Sequence, residues 1–134
     1  MVKYYLAHPF DSRKEMRVWE LHLALQYEID IVNPFYSLHR DDVISIDEGR
    51  AGRYEKLDPD ELVMRDLEAI GRCNAIIAYV NGDLSYGTIM EIVYASKMNK
   101  EIHIIVTNGH EKHPWIVFHA DHIYLSKQEF EESL

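Results

Sequence analysis

Apolar residues gather in short, nearly unbroken runs, and between those runs they recur every three or four positions. This is the alternation of buried strand and amphipathic helix. The two densest runs are Val2–Ala7, Val-Lys-Tyr-Tyr-Leu-Ala, and Ala75–Val80, Ala-Ile-Ile-Ala-Tyr-Val. Both are too short and too rich in β-branched and aromatic residues for helices. With no polar alternate face, the second in particular reads as a strand covered on both sides. Ile29–Val32, Glu101–Val106 and residues 122–125 supply three more runs. The first four in chain order stop at turn chemistry: His8-Pro9-Phe10-Asp11, Asn33-Pro34, Asn81-Gly-Asp83 and Thr107-Asn-Gly109. Between them, Met16, Trp19, Leu23, Ala24 and Tyr27 repeat at helical spacing behind Ser12-x-x-Glu15, a capping box. Leu62, Val63, Leu67, Ala69, Ile70 and Cys73 do the same behind Asp58-Pro59-x-Glu61, an acidic N-cap with proline at the first helical position. A third helix is expected from Thr88 through Ile89, Ile92, Val93, Tyr94, Ala95 and Met98, residues 114–118 form a short helical segment, and Ser126-x-x-Glu129 caps a last one. Five strands alternating with helices predict an α/β fold: one domain over residues 1–134 with a doubly wound, five-stranded parallel sheet of Rossmann-like type. Residues 35–57 have the least pattern, and a connection this long inside a compact domain is a functional loop or only partly ordered.

Two carboxylates break the helical pattern. Glu91 is the one charged side chain among the apolar residues of the third helix. Its plain role would be to complete a capping box with Thr88. Its neighbours Ile89, Ile92, Val93 and Tyr94 strip water from it, however, while the positive helix end favours its ionised form, and that is the state a carboxylate nucleophile or cation stabiliser needs. Asp66 falls four residues after Leu62 and four before Ile70, beside its helix's apolar stripe instead of opposite it. Pairing with Arg65 or Lys97 is the plain account there. In an open parallel sheet, ligands bind beyond the carboxyl ends of the strands, where His8 and the segment from Asn81 to Thr88 stand.

Composition narrows the field. The 134 residues, 47% hydrophobic, suffice for one core, and a formal charge of −9 argues against a nucleic acid polymer as partner. A small anionic ligand met by N–H groups and one or two arginines remains compatible with that charge. No apolar run approaches the roughly 18 residues of a membrane span, and Met-Val-Lys-Tyr-Tyr-Leu-Ala lacks the flanks of a signal peptide, so a cytoplasmic protein with no membrane partner is expected. Cys73, the sole cysteine, reads as packing. His110, His113, His119 and His122 make two His-x-x-His pairs but lack the cysteines or paired carboxylates of a tetrahedral set, so no metal and no cofactor are expected.

Three segments carry a family resemblance. Ser85-x-Gly-Thr-x-x-Glu91-Ile-x-Tyr-Ala95, following a strand that ends Ala-Tyr-Val80, resembles the signature of the nucleoside 2-deoxyribosyltransferase superfamily, which includes deoxynucleoside 5′-monophosphate N-glycosidases. Tyr5-Leu-Ala-His-Pro-Phe10 is similar to the family's Tyr-(Leu/Phe)-(Ala/x)-Gly-Pro-Phe, and Asp66-Leu-x-x-Ile-x-x-Cys-Asn-Ala-Ile-Ile is similar to its Asp-bearing segment. The resemblance implies a flavodoxin-like strand order, Glu91 as the catalytic carboxylate at C1′ of the sugar, Asp66 in the sugar site and Tyr5 orienting Glu91. Substrate contacts are expected from His8, Pro9, Phe10, Arg13, Asn81, Ser85, Gly87 and Thr88. It also implies a covering loop within residues 35–57 and a neighbouring subunit that completes the site, hence a homodimer or higher oligomer.

The departures matter as well. His8 replaces a glycine, Asn74 replaces an aspartate, and the first-loop Ser and Arg of the hydrolases are matched by Pro9 and Asp11, with only Arg13 nearby. Ser85 stands where the transferases carry an aspartate, and a hydroxyl there suits a phosphate that a carboxylate would repel. The leading expectation is therefore hydrolysis of a deoxynucleoside 5′-monophosphate. Base exchange on a nucleoside is the alternative, and a non-catalytic nucleotide-binding or sensing domain is the rival from a different class.

Overall fold

The computed structural model describes residues 1–36, 58–82 and 85–134, so most of the 35–57 stretch, where a covering loop was expected, and Asp83 of the Asn81-Gly-Asp83 turn lie outside the described residues. The elements follow in the order β1 (Val2–Ala7), a 3₁₀ turn (Phe10–Ser12), α1 (Arg13–Gln26), β2 (Ile29–Val32), α2 (Pro59–Gly71), β3 (Ala75–Val80), α3 (Tyr86–Lys97), β4 (Glu101–Val106), α4 (Pro114–His119), β5 (His122–Tyr124) and α5 (Lys127–Glu132). The strands form one five-stranded sheet in the order β2-β1-β3-β4-β5, parallel throughout. That is the doubly wound, flavodoxin-like order, and the direction of progression reverses between β1 and β3.

Successive strand residues point to opposite faces, which divides the core in two. Tyr5, Ala7, Ile76, Ala78, Ile102 and Ile104 meet α2, α3 and α4 through Ala69, Ile70, Ile92, Ala95 and Ile116. Tyr4, Leu6, Ile77, Tyr79 and Ile105 meet α1 and α5 through Met16, Trp19, Leu23 and Phe130. Cover on both faces is why these strands read as continuous apolar runs, and each fully buried Leu or Ile adds about 1.5–3 kcal/mol of burial free energy.

The helix starts divide into two kinds. Asp58 caps α2 as expected, its carboxylate accepting from the Asp60 and Glu61 N–H groups at 3.0 and 3.3 Å. Ser126 caps α5 by accepting from the Glu129 N–H at 3.1 Å. The other two predicted boxes do not form. At α1 the Ser12 side chain makes no cap bond, and Glu15 instead accepts from the Tyr79 O–H at 3.0 Å and the Lys127 ammonium at 2.7 Å. At α3 the helix starts at Tyr86, two residues before the expected Thr88, and the cap is Ser85, whose Oγ accepts from the Thr88 N–H at 3.4 Å. In both cases a long-range partner outbids the local one for the carboxylate. The apolar stripes shift likewise, since Ala24 and Val63 are exposed while Glu20 is buried. Cys73 is buried in the core, and burial pushes its thiol above the ordinary range. Among the described residues, no helix is long and apolar enough to cross a membrane.

Candidate functional site

The loops leaving β1 and β3 flank the point where strand order reverses, the position at which doubly wound sheets open a crevice. They are tied together there: the Ser12 O–H donates to Asn81 Oδ1 at 3.1 Å, joining the turn after β1 to the first residue after β3. This bond is what draws Ser12 away from capping α1.

Glu91 stands on α3, the helix that follows β3, within reach of β1. It is half-buried. The hydroxyl of Tyr5, a fully buried residue of β1, donates to Glu91 Oε2. The other oxygen folds back toward the helix start, where a Cβ built on Gly87 would lie 4.0 Å from Oε1. A side chain at residue 87 would therefore come into contact with the carboxylate, which glycine avoids. Ser85 supplies the cap by accepting from the Thr88 N–H, and the positive helix end favours the ionised form of Glu91. Thr88 is buried and gives its own hydroxyl proton to Ser85 Oγ at 3.2 Å. Ser85 Oγ thus accepts twice, and its O–H proton is left to donate outward.

Asp66 lies on α2, which packs beside α3, and it is half-buried on the flank of the stripe formed by Leu67, Ala69 and Ile70. Its neighbour Arg65 pairs with Glu61, Nη2 to Oε1, at 2.7 Å.

The segment after β1 builds an aromatic and basic wall. The Arg13 guanidinium sits 3.8 Å from the centroid of the Phe10 ring and donates from Nη1 to the Phe10 carbonyl at 3.0 Å. Phe10 meets Phe35 edge-on at 5.8 Å, and Phe35 faces the His8 ring at 5.0 Å. Pro9 is the half-buried residue from which the 3₁₀ turn starts.

His8, the residue in the glycine's place, is only 3% exposed. Its Nδ1 faces the Pro9 carbonyl at 2.9 Å and its Nε2 faces Asn33 Oδ1 at 3.2 Å. Burial lowers its pKa, and these two bonds oppose that shift. Asn33 is fully buried and also accepts from the Phe35 N–H at 3.1 Å while donating to Glu20 Oε1 at 2.9 Å. Burial in turn raises the pKa of Glu20, against the pull of Asn33 and of Arg17, which pairs with it at 2.8 Å. The buried His8 is held by a polar relay, His8–Asn33–Glu20, that ends on Arg17.

Sequence reasoning missed Asn33, Glu20 and Ser12 as supports of the site. Glu20 had a readable signal, a carboxylate at the i+4 position of a stripe beginning at Met16. Asn33 had only its place after a strand, and Ser12 was hidden by a stronger local reading as a cap.

No family model matches the sequence, and no curated protein sequence does. Solved structures do share its fold. A 2-deoxyribosyltransferase from Bacillus psychrosaccharolyticus superposes with a TM-score of 0.74 at 17% identity, over 97% of this chain and 90% of that one. A CMP N-glycosidase from Clostridium botulinum gives 0.59 at 20% identity, over 98% and 96%. A response regulator from Thermotoga maritima gives 0.56 at 12% identity, over 99% and 93%. The last of these shows that the scaffold alone does not select an activity.

Proposed function

We propose that the chain is a member of the nucleoside 2-deoxyribosyltransferase superfamily and breaks the N-glycosidic bond of a 2′-deoxyribonucleoside 5′-monophosphate, with Glu91 as the catalytic carboxylate. The observation that carries this reading is the Tyr5–Glu91 hydrogen bond. It holds one oxygen of a half-buried carboxylate near a helix start, on the helix that follows β3, and the other oxygen lies 4.0 Å from where a Cβ on Gly87 would stand. The likeness in fold to a deoxyribosyltransferase and a CMP N-glycosidase supports it further.

As the bond from C1′ to the base breaks, positive charge develops on C1′ and the ring oxygen. A fixed, poorly hydrated carboxylate lowers the energy of that state more than it lowers the ground state. Glu91 then either forms an ester at C1′ that water hydrolyses or holds the cation until water adds. The departing base takes up a proton, with Asp66 in the role of helping to supply it, and water supplies the hydroxyl on C1′ and returns the proton. Ser85 favours the nucleotide over the nucleoside: its remaining O–H proton and the α3 N-terminus suit a phosphate oxygen. Arg13 and the Phe10 wall adjoin the same end of the sheet. The proposal includes a homodimer. Tyr86, Met90 and Tyr94, spaced i, i+4, i+8 on α3, are exposed, as are Trp115 and Phe118 on α4, which packs beside it. Such an apolar face on the helix that bears Glu91 suits a second copy of the chain.

Incubation with each deoxynucleoside, each deoxynucleoside monophosphate and CMP, with and without an acceptor base, tests the reading. Free base from monophosphates without acceptor is expected, and Glu91→Gln lowers its release by about a hundredfold or more. Turnover only with an acceptor base would make the protein a transferase. No turnover at all would leave a binding domain. Sedimentation at micromolar concentration tests the dimer.

A further inference from the structure

At the opposite rim of the sheet from Glu91, where β4 and β5 begin, three metal-ligating side chains converge. Glu101 and His103 are two apart on β4, so they share one face, and strand register places His122 directly opposite His103. One donor atom from each of Glu101, His103 and His122 lies within 4.8 Å of the others. Glu101 Oε1 is 2.8 Å from His103 Nε2 and 3.6 Å from His122 Nε2. These values straddle the edge of a tetrahedron with bonds of about 2.0–2.1 Å, roughly 3.3 Å. We propose that Glu101, His103 and His122 form a binding site for a divalent transition-metal ion of the Zn²⁺ type, which clips β5 to β4.

Two further observations point to a ligand. His103 is 6% exposed, and its Nε2, although close to Glu101, has no hydrogen-bond partner among the described residues. The Glu101 carboxylate faces that nitrogen at ion-pair distance without completing a well-formed hydrogen bond, an arrangement open to a cation that bonds both. The rings are also pre-set. His103 and His122 stack at 4.9 Å with 16° between planes, and His103 Nδ1 is held by the Tyr124 hydroxyl at 2.9 Å. The tautomer that donates from Nδ1 to the Tyr124 oxygen leaves the Nε2 lone pair facing the site, an outer-shell arrangement typical of metal-binding histidine. Two imidazoles and one carboxylate are a zinc set with a fourth position left to water. β5 is a three-residue edge strand, so a bond across it to β4 adds to a short ladder.

The His-x-x-His spacing in the sequence does not identify this site. It recruits His122 but not His119, His113 or His110, and it takes its other ligands from β4.

The test uses the full chain stripped of metal with a chelator. Calorimetric titration with Zn²⁺ is expected to show one equivalent bound, Co²⁺ to give the visible absorption of a tetrahedral complex, and the melting midpoint to rise by on the order of 5 °C at saturating Zn²⁺. His122 is 53% exposed at its side chain, so His122→Ala should fold normally and weaken Zn²⁺ binding at least tenfold. The double variant His110→Ala/His113→Ala should bind as the parent does. Absence of a saturable equivalent, binding unchanged in His122→Ala, or binding lost in the double variant would each overturn the proposal.

Discussion

Replacing Tyr5 with Phe removes one oxygen atom from the centre of the arrangement and almost nothing else. Tyr5 is fully buried within the α2–α3 face of the core, and Phe keeps its ring and its packing. Only the hydroxyl that donates to Glu91 is lost. A hydrogen bond to a charged acceptor contributes about 1.5–3 kcal/mol, which at 1.36 kcal/mol per decade is roughly a 10- to 150-fold loss in kcat/KM if the bond serves to hold the reacting carboxylate. The loss should fall mainly on kcat, because the hydroxyl orients Glu91 and need not touch the ligand. A second signature separates this from general damage. A carboxylate deprived of a donor binds a proton more readily, so the acid limb of the rate–pH profile should move to higher pH in the variant. Base release measured from pH 4 to 8, with circular dichroism to confirm folding, reads both effects. A Tyr5→Phe protein with parental kcat/KM and an unmoved acid limb would refute the role given to this bond.

Other substitutions probe the supports. Asn33→Leu withdraws a donor from Glu20 and an acceptor from His8 and the Phe35 N–H, all in a buried setting, and should cost about 2–5 kcal/mol in urea denaturation. Ser85→Ala removes the α3 cap, worth about 0.5–2 kcal/mol, and should reduce turnover of monophosphates more than of nucleosides; an equal loss on both would assign Ser85 to the helix alone. The Lys127 ammonium first, and the Tyr79 hydroxyl after it, hold Glu15 below the usual carboxylate range against the opposing effect of burial. A depressed folded value gives stability that is complete above the unfolded pKa of about 4.3 and is lost as pH falls through the folded one. The melting midpoint of Glu15→Gln should therefore decline less than the parent's between pH 5 and pH 3.

The sheet was legible because its signal is composition at short range. A strand covered on both faces is apolar at nearly every position, as β3 is, and β1, β2, β3 and β4 have the bounds that their runs imply. Caps were legible only where nothing distant competed. Asp58 and Ser126 lie at exposed helix starts and behave as local chemistry predicts, whereas Glu15 and Glu91 face partners 64 and 86 residues away in sequence, and those partners prevail. For Glu91 the local misreading and the functional reading were rivals for one carboxylate. The helix starts two residues before the expected box and the carboxylate meets Tyr5, a contact that only the family resemblance implied beforehand. The zinc-type cluster was hidden for the same reason, since strand register, not spacing along the chain, brings His103 and His122 together.

Strand order also has a consequence for how the chain assembles. β1 can join β2 early, after α1 alone has formed, but its other neighbour is β3, and the register that pairs Tyr4 with Ala75 spans 71 residues. At ribosomal speeds of about 5–20 residues per second, that edge of β1 waits on the order of 4–14 s for its mate. During that interval a sticky ribbon through Tyr5 and Leu6 is open to chaperones or to the same ribbon on another nascent copy. A burst of misassembly during rapid overexpression, relieved by slower synthesis, would be its signature.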